Sequence, residues 1–131
     1  MGLYDEPKSV FVAGFIGSPK MNFFNAHAEG GQLVVAGKSA QIAPHISGDV
    51  IVGIRPEHME ECDEASALIS ARLELVEKLG EYALVHMVST DGTQIIAKFE
   101  KPPVQSSGDI IHFRAANNTL HLFDKTTEER L

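Results

Sequence analysis

The sequence predicts a mainly β fold, a small closed barrel with a short helix before it. Three observations predict it: runs of strand length in which apolar and polar residues alternate, Gly and Asp residues between those runs, and a length of 131 residues, which suits one domain. The alternation is clearest from Ile69 to Leu75, where aliphatic side chains occupy every second position. Many short strands at regular spacing favour a closed barrel, because closure leaves no sheet edge exposed.

The helix is predicted near the start of the chain. Acidic residues and a proline at positions 5–7 suit a first helical turn, and Gly17-Ser18-Pro19 ends the helix. We therefore expect a linker helix over residues 1–19 and a β-barrel domain over residues 20–131. The helix is too short to be stable alone, so its apolar face should pack on its own barrel or on a second copy of the chain. That face consists of Val10, Phe11, Ala13, Phe15 and Ile16.

Turn residues predict the strands that follow. Gly30-Gly31 and Asp91-Gly92 each separate two apolar runs, as the turn of a β-hairpin does. Another strand begins after Gly48-Asp49 and ends at Pro56, because proline cannot donate to a ladder. The predicted strands cover residues 22–28, 32–36, 50–54, 69–75, 82–89, 93–99, 109–114 and 120–123.

The last two strands are expected to form a hairpin through Asn117-Asn118, which would bring His112 and His121 face to face. The alternation pattern also predicts which side chains point into the barrel. They are Leu73, Leu75, Val85, Ile95 and Ile110.

The chain contains one weak internal echo. Residues 48–51 read Gly-Asp-Val-Ile, and residues 108–111, 60 positions later, read Gly-Asp-Ile-Ile. Two independent entries from a turn into a strand would give this pattern, because Gly and Asp shape turns and aliphatic residues fill cores. Two equivalent strands of one barrel would give it as well.

Composition argues against several functions. The net charge is −7, the pI is about 5.3 and only 7% of residues are aromatic, whereas nucleic-acid surfaces need basic residues beside aromatic ones. We therefore expect no nucleic-acid partner. The single cysteine, Cys62, has no internal disulfide partner, which fits a reducing compartment. No apolar run is long enough to cross a bilayer.

No catalytic, cofactor or metal residues are predicted. The six histidines lack a tight ligand spacing such as His-x-x-x-His. Acidic neighbours should raise the pKa of the Cys62 thiol and keep it from acting as a nucleophile. Gly37-Lys38-Ser39 has the end of a phosphate-binding loop, but the first glycine of that motif would be residue 32, which is Gln.

Three segments in order resemble one known family. They are residues 3–22, with Phe11-Val12-Ala13-Gly14-Phe15-Ile16-Gly17-Ser18-Pro19-Lys20-Met21-Asn22, then Val52-Gly53-Ile54-Arg55-Pro56-Glu57-His58, and Leu120-His121-Leu122-Phe123-Asp124 with Arg130-Leu131. Together they resemble the C-terminal regulatory domain, of the transport-associated OB (TOBE) type, in ATP-binding subunits of sugar-importing ABC transporters of the maltose and glycerol-phosphate type.

The resemblance implies a fold and partners. The fold would be an OB-type, TOBE- or MOP-like barrel, and ATP and Mg²⁺ would bind to a domain that this chain lacks. The partners would be a second ATPase subunit, the membrane subunits of the transporter and a regulatory protein or small effector. The location would be the cytoplasmic side of the inner membrane.

Arg55, Glu57 and His58, at the end of a core strand, are the best candidates for a contact surface, together with Phe11 and Phe15. Alternatively, Arg55 and Glu57 only fix their loop through an exposed ion pair, which contributes about 1 kcal/mol or less. A different class of function, a sensor of oxyanions or other small ligands, would need a pocket around Arg55, Asn117 and His121.

Overall fold

Two antiparallel sheets of five strands each form the domain. The computed structural model describes residues 20–35, 38–42, 44–116 and 119–131, so the predicted linker helix lies outside the described residues. Within those ranges the strands are β1 (Asn22–Glu29), β2 (Gln32–Val35), β3 (Lys38–Gln41), β4 (Gly48–Ile54), β5 (Met59–Glu61), β6 (Ile69–Lys78), β7 (Ala83–Ser89), β8 (Gln94–Phe99), β9 (Ile110–Ala115) and β10 (His121–Asp124). Short 3-10 helices follow β4 and β5, at Pro56–His58 and Glu64–Ser66.

The first sheet has the strand order β10-β4-β1-β2-β3, and the second has the order β5-β9-β6-β7-β8. Two of the three predicted hairpins are confirmed. β1 and β2 join through Gly30 and Gly31, whose φ angles of 58° and 81° suit the two central positions of a tight hairpin turn. β7 and β8 join through the turn at Asp91-Gly92.

The two sheets are built alike, and each contains the last strand of the other half. The order β4-β1-β2-β3 in the first sheet repeats as β9-β6-β7-β8 in the second. β5 leaves the first half to pair with β9, and β10 leaves the second half to pair with β4.

The sequence echo does not follow this repeat. The pairings Phe24–Val52 and Ile69–Phe113 relate β4 to β9 by a shift of 61 positions, whereas the echo has a shift of 60 and matches the buried Val50 with the exposed Ile110. The echo therefore reflects two separate entries from a turn into a strand, and the glycines that begin them both have positive φ, 93° at Gly48 and 97° at Gly108.

Hydrogen bonds confirm the equivalence of the two crossovers. After β4, the His58 N–H donates to the Arg55 carbonyl at 2.9 Å. After β9, the Thr119 N–H donates to the Ala116 carbonyl at 3.2 Å, and these residues stand 61 positions further along. The two crossovers also meet, because the Ala116 N–H donates to the His58 carbonyl at 3.0 Å.

The core lies between the sheets. Of the side chains predicted to point inward, Leu73, Val85 and Ile95 are buried, at 2%, 0% and 1% exposed. The prediction is wrong for Leu75, which is 59% exposed. A β-bulge shifts the pairing of β6 with β7 between Leu73 and Leu75, so that Leu75 lies on the outer face.

The prediction is also wrong for Ile110. It lies opposite Arg72 and shares its outward face, whereas Ile111 lies opposite Ala71 and is only 1% exposed. Because Ile110 and Ile111 are adjacent and equally apolar, the sequence pattern does not show which of them points inward. A shift of one residue moves every side chain of a strand to the opposite face of the sheet.

The expected hairpin of the last two strands does not form. β9 pairs with β5 and β6, while β10 pairs with β4 in the other sheet. His112 and His121 therefore do not face each other, and the Nδ1 atom of His112 instead lies 2.7 Å from the hydroxyl of Ser70 on β6. The exchange of final strands between the halves separates these two strands.

The bulge in β6 gives a direct test of this packing. Leu73→Ala should lower the free energy of unfolding by roughly 2–5 kcal/mol, because it empties a buried site. Leu75→Ala, two residues away, should cost under about 1 kcal/mol, because that side chain is already exposed. Urea denaturation of both variants measures the difference. Equal losses would place Leu75 in the core and remove the bulge.

Candidate functional site at the junction of three chain segments

Three distant parts of the chain pack together on the outer face of the first sheet. Met21 and Phe123 are 4% and 0% exposed and form a small apolar cluster apart from the main core. Between them lies Gly53 of β4. A Cβ atom at that position would overlap the Met21 sulfur and stand 3.2 Å from Cε2 of Phe123. The glycine is therefore needed for close approach, since its φ does not lie in the left-handed region.

Arg55 and the residues after it follow directly from β4. Arg55 is 2% exposed, an unusual degree of burial for a cation. Pro56 begins the 3-10 helix, where a missing N–H costs nothing, and His58 ends it. Glu57 is exposed and His58 is partly buried. Of the three predicted contact residues in this loop, Glu57 is therefore the most accessible.

The first strand is fixed by a side chain that reaches across to the other sheet. The Asn22 carboxamide donates from Nδ2 to the Ile96 carbonyl at 2.8 Å and accepts from the Ile96 N–H at 2.9 Å. Asn22 is 6% exposed. β8 is the last strand of the second sheet, and the Asn22 carboxamide forms the hydrogen bonds with it that a further strand would form. The same bonds hold Met21, the preceding residue, beside Gly53.

The end of the chain closes the same region. The Leu131 N–H donates to the Leu122 carbonyl at 3.0 Å, and Arg130 forms a β-bridge with Phe123. The Asp124 carboxylate accepts from the N–H groups of Thr126 and Thr127 at 2.8 and 2.9 Å, which shapes the turn before this segment. The free edge of β10 is therefore covered.

His121 lies where these segments meet. Its Nδ1 is 2.9 Å from Nη1 of Arg130, which can only donate, so Nδ1 accepts and the ring is neutral with its proton on Nε2. Burial is the main cause that lowers the pKa of His121 to about 4, and the positive charges of Arg130, Arg55 and His58 add to it. At neutral pH this histidine is a hydrogen-bonding residue, without a charge of its own.

The structure places the predicted site residues unequally. Arg55, Glu57 and His58 lie together at this junction, whereas Phe11, Phe15 and Asn117 lie outside the described residues. The idea of an exposed Arg55–Glu57 pair is wrong for Arg55, which is buried. The sequence analysis did not predict that Met21, Gly53 and Phe123 pack together. The one feature of the sequence that indicates a close approach is a glycine, Gly53, inside an aliphatic run.

A wide groove lies elsewhere on the described part of the chain. It has a volume of about 750 Å³ and runs between the start of β1 and the outer face of β6, β7 and β8, past Leu75, His86 and Ile96. Arg55 and His121 do not line it. Among the residues that the structure describes, no group of three His, Cys, Asp or Glu side chains is placed to hold a metal ion, and no helix is long and apolar enough to cross a membrane.

Two family models match overlapping parts of the chain. Residues 17–59 match the MalK OB fold domain, and residues 52–123 match the TOBE domain. The chain belongs to the TOBE domain family. The overlap of the two matches, residues 52–59, contains Gly53, Arg55, Glu57 and His58 of the junction.

Similar proteins are ATP-binding subunits of importers. The sn-glycerol-3-phosphate import ATP-binding protein UgpC of Cereibacter sphaeroides is 37% identical over 130 residues, which are 98% of this chain and 37% of that protein. The lactose transport ATP-binding protein LacK of Rhizobium radiobacter is 38% identical over 138 residues, 95% of this chain and 38% of that protein. This TOBE domain therefore spans little more than a third of the length of these relatives.

A solved structure shows the same fold. The cytoplasmic molybdate-binding protein ModG, in a form with molybdate bound, superposes with a TM-score of 0.54 over 77% of this chain and 94% of that one. The sequences are 13% identical. The likeness confirms the predicted OB- and TOBE-like β fold.

The packing across Gly53 can be tested with a pair of substitutions. Gly53→Ala should lower the free energy of unfolding by roughly 1–3 kcal/mol, because the new methyl group overlaps Met21. Met21→Ala makes room for that methyl group, so the double variant should be more stable than the sum of the single losses predicts. Thermal or urea unfolding of the four proteins measures this coupling. Simple additivity would contradict direct contact.

The lowered pKa of His121 predicts a loss of stability in mild acid. As the pH falls below the ordinary value of 6.5, the unfolded chain takes up a proton that the folded chain refuses until about pH 4. Between pH 7 and pH 5 the parent should lose about 1–2 kcal/mol by this route. His121→Gln keeps an acceptor for Arg130 and does not titrate, so urea denaturation should show a smaller loss. The same loss in both proteins would contradict a buried, neutral His121.

Proposed function

We propose that this TOBE domain is the regulatory and dimerisation domain of the ATP-binding subunit of a sugar-type ABC importer, whose nucleotide-binding domain lies outside this chain. One observation carries the proposal. An import ATP-binding protein matches 98% of this chain, but the match covers only 37% of the length of that protein, and this chain has the TOBE domain. Position 32 is Gln where the phosphate-binding motif before Gly37-Lys38-Ser39 would need glycine, and we therefore assign ATP and Mg²⁺ to the rest of such a subunit.

The proposed mechanism is a tether. Two regulatory domains that remain in contact keep their ATPase domains at high effective concentration while those domains open and close. The contact surface would include Glu57 and His58, which follow β4, together with Phe11 and Phe15 of the preceding segment. The partners would be a second ATPase subunit and the membrane subunits of the importer, which place the domain on the cytoplasmic side of the inner membrane.

The charge of the junction favours a second candidate function, a sensor of small anions. Arg130, Arg55 and His58 are close enough to His121 for their positive charges to lower its pKa, although the chain as a whole has a net charge of −7. Such a concentration of donors is a common setting for oxyanion recognition. This candidate predicts saturable heat when phosphate is titrated into the chain, whereas the tether predicts none.

Self-association of the full 131-residue chain tests the tether. We expect sedimentation velocity to show a symmetric dimer, the commonest closed arrangement, and we expect the double variant Phe11→Glu/Phe15→Glu to shift the chain toward monomer. Val104→Glu is the matched control, because Val104 is 97% exposed and far along the chain from the proposed surface.

Each result has a separate meaning. A parent chain that stays monomeric at high concentration would contradict the tether and favour the sensor. A dimer that the double variant leaves intact would keep the tether and remove Phe11 and Phe15 from its surface. Saturable binding of Mg-ATP in calorimetry would contradict the assignment of ATP to another domain.

A further inference from the structure

The two halves of the domain meet along two seams. In the first seam the start of β1 lies beside β8, and in the second seam the start of β6 lies beside β3. The first seam is bridged by the Asn22 carboxamide, which binds both the N–H and the carbonyl of Ile96. The second seam has the same strand order, so the residue that corresponds to Asn22 decides whether a side chain bridges it.

The pairing of strands identifies that residue. In the first half Phe24 lies opposite Val52, and Asn22 comes two residues before Phe24. In the second half Ile69 lies opposite Phe113, and the residue two positions before Ile69 is Ala67. Alanine has no polar side-chain atom. The side chain at this position therefore cannot bind the strand across the second seam.

Within the described part of the chain, the strand edge that faces this seam carries backbone groups that bind no neighbouring strand. The Ile42 N–H donates to the Gly31 carbonyl at 2.9 Å, and hydrogen bonds to β2 then fall on every second residue of β3, at Ala40 and Lys38. Ser39 and Gln41 therefore direct their N–H and carbonyl groups away from β2. β3 is the last strand of its sheet, so these groups face the seam, and Gln41 stands in the place that Ile96 holds in the other half.

A cavity lies beside Gln41 and beside Ser66 and Leu68, the two neighbours of Ala67 in the chain. It has a volume of about 210 Å³, and Ser39, Gln41 and Ser66 line it beside the apolar side chains of Leu68 and Leu120. Arg114 also lines it, but its Nε already donates to the Glu60 carboxylate at 2.5 Å. That ion pair offsets the positive charge of the wall, so the cavity suits a neutral ligand.

We propose that the second seam is a binding site for a small neutral ligand that bears a primary carboxamide. The ligand's NH₂ donates to the Gln41 carbonyl and its oxygen accepts from the Gln41 N–H, as Asn22 does at Ile96. Leu68 and Leu120 contact the ligand's apolar part. The domain itself shows this mode of recognition. In the first seam the carboxamide belongs to Asn22, and in the second seam it would belong to the ligand.

Two-dimensional NMR of the full chain with propionamide as the probe tests this site. Propionamide should shift the backbone amide of Gln41 along a saturable curve, with a dissociation constant on the order of millimolar because few hydrogen bonds are gained. N,N-dimethylpropionamide keeps the oxygen and lacks the N–H donors, so it should bind at least roughly tenfold more weakly, the factor that one lost hydrogen bond gives. Propionate is the charged control and should not bind.

Two variants, each with a matched control, locate the site. Ala67→Asn should fill the seam from within and abolish the propionamide shift, whereas Ala67→Ser, a similarly small polar residue without a carboxamide, should retain it. Gln41→Pro removes the backbone donor and should weaken binding about tenfold, whereas Gln41→Ala should bind like the parent. Circular dichroism shows that each variant is folded.

Several outcomes would overturn the proposal. They are a Gln41 amide that does not respond to propionamide, an equal response to the dimethyl compound, and an Ala67→Asn chain that still binds. If Ala67→Asn is unfolded, Gln41→Pro decides the question alone, and unchanged binding by that variant contradicts the site.

Discussion

One asparagine side chain joins the two sheets at the point where the chain enters the domain. The Asn22 carboxamide occupies both backbone groups of Ile96, so it gives β8 the hydrogen bonds that a further strand would otherwise provide. The position of Met21 depends on this bond, since Met21 precedes Asn22 directly. Met21 then packs on Gly53, and Phe123 packs from the other side. The junction of the three chain segments therefore depends on where Asn22 holds β1.

The exchange of final strands explains why such a junction exists. β5 and β10 each cross to the other half, so the two crossovers meet and residues near positions 55 and 120 become neighbours. The two halves differ at a few equivalent positions. Arg55 in one crossover corresponds to Ala116 in the other, and Asn22 corresponds to Ala67. Because of these differences, only one crossover carries a buried arginine and only one seam is bridged by a carboxamide among the described residues.

Local chemistry made part of the fold predictable. Gly30-Gly31 and Asp91-Gly92 identified their hairpins, because a short turn fixes the pairing of the strands on either side. The first turn has two residues, and the second has three, residues 90–92. The pairing of β10 with β4 was not predictable, since the strands are far apart in sequence and nothing in either one specifies its partner. The bulge that exposes Leu75 was hidden for a similar reason, because its cause lies in the pairing of β6 with β7.

The junction was predictable only in part. Arg55, Glu57 and His58 stood out as charged residues after an apolar strand, and the structure places all three there. The burial of Arg55 and the lowered pKa of His121 arise from packing between distant segments, which alternation within one strand cannot reveal. The family resemblance supplied the fold, and the comparisons confirm it through the TOBE domain match.

The stability of an Asn22→Ala variant against an Asn25→Ala variant tests most directly whether this side chain fixes the junction. Both asparagines are on β1, and Asn25 is exposed. In equilibrium urea denaturation, Asn22→Ala should lower the free energy of unfolding by about 2–4 kcal/mol, because it removes two hydrogen bonds and leaves the Ile96 N–H and carbonyl without that partner. Asn25→Ala should change it by less than about 0.5 kcal/mol. Equal stability of the two variants would contradict the account.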